Sequence, residues 1–295
     1  MSRTKTYLTA LLATAFDLLP ASQAEAQEQE RPFAYIPDEV NPALRGAVFG
    51  VNVVVNSTIC GINAWVEKRN VLEDILQCSA GAALQYGGME ISASVYNIPS
   101  LPGVGYRVTE TGTALIENTL AGRKPFEYLY YSIGPALLQM DTKEGRLDFY
   151  WRILPLAGLI ANIARENKFS LGDTLSFQVP VFRLPYGAAD FSKAGDAIGD
   201  VVSYDPKYPS VVIHEYNHVH QYVRFRPFQL AVPDLLSFFG DKVHLRLGED
   251  VSYALTAVPA MICKAADESC FGRRWYDPAE AESYIMQTAH PVELK

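Results

Sequence analysis

The order of apolar and polar positions divides the chain into helical ends and a strand-rich middle. Between residues 38 and 96 apolar residues recur at helical spacing, clearest in Val71-Leu72-Glu73-Asp74-Ile75-Leu76, and Pro42 stands where a first helical turn accepts proline. The charged segment Glu67-Lys68-Arg69-Asn70 interrupts this run and reads as the turn of an antiparallel helical hairpin. A Pro/Gly-rich stretch, NIPSLPGVGY at residues 97–106, predicts a turn or subdomain boundary, and a helix over 113–122 follows it. Residues 132–140 and 146–153 flank the turn-forming Asp141-Thr142-Lys143-Glu144-Gly145 and predict a β-hairpin. Alternation in Arg146-Leu147-Asp148-Phe149 marks its second strand as half-buried. A short helix over 156–165 comes next, then a strand over 174–184 that Pro180 confines to an edge or a bulge. Past Pro209 the pattern turns helical again. The expected class is α+β, with an N-terminal helical region, a small central β-sheet and C-terminal helices.

The first residues have the composition of an export signal. Arg3 and Lys5 precede an apolar run over 7–16, and Ala24-Glu25-Ala26 supplies small residues at a cleavage site, which predicts a signal peptide over 1–26 and a periplasmic or extracellular protein. The Pro/Gly-rich stretch then separates an N-terminal helical region, 27–106, from an α+β region, 107–295. Residues 46–66 carry no charge and are long enough to span a bilayer, yet Asn52, Asn56, Ser57, Thr58 and Asn63 interrupt them. A packed helix and a membrane-associated one are both readings of that stretch.

Four cysteines in an exported chain read as two disulfides. Cys60 and Cys78 lie nine residues either side of Arg69, so a hairpin turning there brings the two thiols together. Cys263 and Cys270 bracket a polar loop and form the second expected pair.

Composition narrows the partners. The 295 residues are 49% hydrophobic and 20% charged, with a net charge of −8 and no Lys/Arg-rich run. Such a chain builds a sizeable core and lacks the basic footprint that nucleic acid requires.

The chemistry concentrates in Ser-Val-Val-Ile-His-Glu-Tyr-Asn-His-Val-His-Gln-Tyr, residues 210–222. His214-Glu215-Tyr216-Asn217-His218 is an H-E-x-x-H motif behind an apolar helical entry. Four residues advance a helix by about 400°, so His214 and His218 emerge on one face a turn apart, in position to hold one zinc ion. Glu215 stands about 100° round the helix, beside that metal, as the base that takes a proton from water. Gln221 shares the face of His218 and is either a cleft residue or an exposed polar one. His220 points away and reads as a surface or packing histidine.

This segment resembles the zincin metallopeptidases. Gln221 stands where the metzincin extension needs glycine, so the resemblance is to gluzincins, whose third ligand is a glutamate on a downstream helix. Glu249 in His244-Leu245-Arg246-Leu247-Gly248-Glu249-Asp250 is the counterpart, preferred over Asp250, His220 and His244 for its reach and position. Where many gluzincins carry a supporting aspartate four residues after that glutamate, this chain has Tyr253, so the orientation of the histidines depends on some other acceptor. The resemblance implies zincin-like C-terminal helices, a zinc cofactor held by His214, His218 and Glu249, Glu215 as general base, and a peptide or protein substrate. Tyr253 and His290 are the candidates for stabilising the oxyanion. The competing readings are a non-catalytic zinc-binding envelope protein and a membrane-associated protein with an incidental motif.

Overall fold

The computed structural model describes residues 42–95, 98, 100–187, 194–208, 211–224, 226–227 and 245–246. Helix α1 (Pro42–Val66) and helix α2 (Val71–Ser94) form the expected hairpin. Lys68 takes a left-handed conformation in the turn, and the Asn70 side chain accepts the Glu73 backbone N–H at 3.3 Å to cap α2. Cys60 and Cys78 are disulfide-bonded across the hairpin, both fully buried. The second expected pair, Cys263 and Cys270, lies outside the described residues, as does the predicted signal peptide. Closing a loop with a sequence separation of 18 constrains the unfolded chain by about 3 kcal/mol in the chain-entropy treatment. A Cys60→Ala/Cys78→Ala protein is therefore expected to lose about that much stability, read as a lower denaturant midpoint.

The Pro/Gly-rich stretch corrects one expectation. A turn was expected up to residue 106, but helix α3 (Leu101–Leu120) begins inside the stretch, with Pro102 in its first turn. Its glycines serve packing instead. Gly88 on α2 and Gly105 on α3 bring the two backbones together, and a Cβ added at Gly88 would stand 2.6 Å from the Thr109 backbone nitrogen. One crossing further along, a Cβ at Gly112 would stand 2.7 Å from the backbone nitrogen of Gln85. Only glycine permits this approach. The close pair is laced by Gln85 Nε2 donating to Thr113 Oγ1 at 2.9 Å and Ser92 Oγ donating to the Pro102 carbonyl at 2.7 Å.

The strands form two four-stranded sheets among the described residues, where one small sheet was expected. In the first, β1 (Tyr128–Ile133), β2 (Ala136–Asp141) and β3 (Arg146–Arg152) make an antiparallel meander, and β8 (Leu245–Arg246) pairs parallel to β3. The predicted strand over 132–140 is thus two strands, broken where Gly134 turns with φ +54° ahead of Pro135. Helix α4 (Ile153–Ala164) follows β3 directly, and helix α5 (Leu171–Phe177) follows the two-residue β4 (Lys168–Phe169). The expected strand over 174–184 is the second correction. Its first half is α5, Gln178 ends that helix in a left-handed conformation, and only β5 (Val181–Arg183) is extended. The second sheet runs β4-β5-β7-β6, where β6 is Gly195–Ile198 and β7 is Val201–Tyr204; β5 and β7 are parallel and the other pairs antiparallel.

Helix α6 (Val211–Arg224) packs on β7 and β6 from one side and on α2 and α3 from another, and is buried from Val211 to Val223. Val212, Tyr216, Val219 and Val223 recur at helical spacing and join the largest core cluster with Met89, Tyr106 and Val202. Burying each such side chain stabilises the fold by about 1.5–3 kcal/mol. The α+β class holds, and α6, which carries the motif, is the central helix of the described fold.

Candidate metal centre

The core stripe Val212/Tyr216/Val219/Val223 fixes the rotation of α6, and this sends His214, His218 and Gln221 to the opposite side. The two imidazoles converge: His214 Nε2 and His218 Nε2 are 3.2 Å apart, with ring planes at 81°. Zinc bonds to nitrogen of about 2.0–2.1 Å at a tetrahedral angle set two ligand nitrogens about 3.3–3.4 Å apart. The observed separation is close to that chord and is also the length of an N–H···N hydrogen bond between the rings. His214 and His218 retain 6% and 7% of their surface, whereas His220 on the same helix retains none. The motif histidines thus lie at the edge of the packed interior and His220 lies within it.

His218 is oriented through its other ring nitrogen. Nδ1 and Gln221 Oε1 are 2.8 Å apart, one turn along the same helix. Sequence position placed Gln221 on this face without deciding between cleft and surface; the structure makes it a buried partner of His218.

Glu215 faces a different neighbour. Its side chain lies against Gly195 at the start of edge strand β6, where an added Cβ would stand 2.6 Å from Glu215 Cγ and 2.7 Å from its Oε1. Glycine at that position gives the carboxylate its room, and nothing in the sequence pattern singled Gly195 out. Glu215 is one residue on from His214, about 100° round the helix, so its carboxylate does not share the direction of the histidine pair.

His220 is a packing residue, which settles the surface-or-packing alternative. Its Nδ1 lies 2.7 Å from Thr109 Oγ1 on α3 and its Nε2 3.0 Å from Ser92 Oγ on α2. Burial, with the nearby Arg224 charge, pushes its pKa down to about 3, so the ring is neutral and hydrogen-bonds the glycine-packed helix pair to α6. Beyond α6, Arg226 pairs with Glu117 of α3 at 3.1 Å, and Tyr130 of β1 donates to the same carboxylate at 2.7 Å. These tethers hold the C-terminal half of the motif helix against α3.

Among the described residues, no group of three His, Cys, Asp or Glu side chains comes together to hold a metal. The expected third ligand, Glu249, lies outside the described residues, and so do Asp250, Tyr253, His244 and His290. Two of the three expected ligands and the expected base thus lie among the described residues. Comparison with family models, curated proteins and solved structures finds no match to this chain.

Proposed function

We propose that the protein is an exported zinc-dependent hydrolase acting on peptide bonds. The observation that carries the reading is the convergence of His214 and His218 Nε2 at 3.2 Å on a helix whose rotation the core fixes. His214, His218 and Glu249 would hold the ion. Zinc, when bound, supplies a Lewis acid that acidifies water and polarises a carbonyl. Glu215, one residue on from His214 and with room at Gly195, takes the proton from the attacking water and returns it to the departing amine. Export is supported by the N-terminal pattern and by the Cys60–Cys78 disulfide, since disulfides persist in oxidising compartments. One helix, Gly46–Val66, is long and apolar enough to cross a membrane, with 28% of that window buried, so association with a membrane surface belongs to the same proposal.

A second reading is a metal that braces α6 without catalysis, and the burial of α6 along its length favours it. The two separate on one assay. The mature protein is incubated with a quenched-fluorescent peptide library, with chelator, and with chelator followed by zinc. Cleavage that chelator abolishes and zinc restores supports the hydrolase. No cleavage, with an unfolding temperature that chelator lowers, supports the brace.

A further inference from the structure

We propose that Gln221 is a positioning residue that selects the metal-binding tautomer of His218; the inference rests on the metal-centre reading above. A neutral imidazole carries its proton on one nitrogen and its lone pair on the other, and a metal takes only the lone pair. His218 presents Nε2 toward His214 and Nδ1 toward Gln221, at 2.8 Å. With Oε1 of the amide turned to the ring, Nδ1 holds the proton and donates it, which leaves the Nε2 lone pair facing the partner histidine. The opposite amide orientation would donate to Nδ1 and place the proton on Nε2, blocking the metal face. In water a free imidazole prefers its proton on Nε2, so the amide acts against the intrinsic preference.

The placement of this acceptor has a physical reason. Gln221 lies three residues beyond His218, so the two side chains are neighbours on one helical face. It is 1% exposed, which removes competing water from the hydrogen bond. A histidine ligand needs an outer acceptor to fix its ring, and this chain has tyrosine where the resemblance expects an aspartate four residues after Glu249. The motif helix supplies the acceptor from its own next turn. The ligand and its support are therefore set by the same helical geometry and do not depend on docking of a second helix.

The test uses the full mature chain as wild type, Gln221→Leu and Gln221→Glu. Nitrogen NMR of the imidazole rings in the zinc-free proteins is expected to find the His218 proton on Nδ1 in wild type and Gln221→Glu, and shifted toward Nε2 in Gln221→Leu. Competition titration with zinc alone is expected to show affinity about 10–100-fold weaker in Gln221→Leu, the usual cost of losing such a partner, and kept in Gln221→Glu. Thermal unfolding of the zinc-free proteins identifies any variant that fails to fold. A wild-type His218 protonated on Nε2 would overturn the inference with or without zinc. Equal affinities in all three proteins would overturn it, and so would failure of Gln221→Glu to restore binding in a folded protein. Wild-type protein that binds no zinc, with the His218 proton on Nδ1, would defeat the metal reading and leave the tautomer assignment standing.

Discussion

Replacing Glu215 by glutamine is expected to abolish most hydrolysis while leaving zinc content and folding unchanged. Glutamine has nearly the same shape, so it fills the space beside Gly195 as glutamate does, and it removes the negative charge and with it the capacity to accept a proton. Positioned acid–base groups contribute about 10²–10⁴-fold, so kcat should fall by that range on a peptide the wild type cleaves. Because the carboxylate acts on the water and the departing amine, the loss should fall on kcat far more than on KM. His214 and His218 keep their core-fixed rotation, so metal stoichiometry should match wild type. A variant that loses zinc together with activity would make Glu215 a ligand or a structural residue. One that keeps full activity would remove it from the chemistry.

The largest expected loss of stability comes from a buried ion pair outside the motif itself. Arg152 of β3 and Asp200 of the β6–β7 turn form a salt bridge with neither side chain exposed, and Arg152 also donates to the Gly134 carbonyl. The pair joins the two sheets. Asp200 further accepts a hydrogen bond from the Tyr106 hydroxyl at 3.3 Å, which brings α3 into the same contact. Asp200→Ala leaves a buried guanidinium without its counter-charge, and destabilisation of about 3–5 kcal/mol is expected in denaturant unfolding. Replacing both charges, as Arg152→Met/Asp200→Leu, should recover most of that loss, because the cost lies in stranding one charge and not in lacking the pair. A single variant near wild-type stability would show that Arg152 finds another partner.

The parts of the fold that follow from local pattern were legible in the sequence. The α1–α2 hairpin declared itself because Cys60 and Cys78 flank a charged turn symmetrically, and the disulfide follows from that geometry. The start of α3 was hidden because Pro102, Gly103 and Gly105 have the composition of a turn. The glycines are there for tertiary contacts, Gly105 against α2 and Gly103 against Gln178, which local pattern does not show. Residues 174–184 misled for another reason. Leu175, Phe177, Val179 and Val181 alternate as a strand would, but the alternation runs across the end of α5, a left-handed Gln178 and the start of β5. The two-residue strands β4 and β8 are too short to leave a periodic signal.

The site divides along the same line. The helical placement of His214, Glu215 and His218 was legible because one helix, α6, carries all three and fixes their mutual angles. The role of Gln221 depended on a side-chain direction that spacing alone leaves open. The partners of His220, Thr109 and Ser92, lie more than a hundred residues upstream on other helices, and no local pattern links them to it. Gly195 carries no signal except its lack of a side chain.

The most direct measurement is the zinc content of the mature protein, purified without chelator, beside His214→Ala and His218→Ala. The account predicts about one zinc per wild-type chain and little in either variant, since each removes one of two converging nitrogens. Wild-type protein that holds no zinc after incubation with it, or variants that hold as much as wild type, would contradict the metal centre and reduce the pair to two histidines sharing a hydrogen bond.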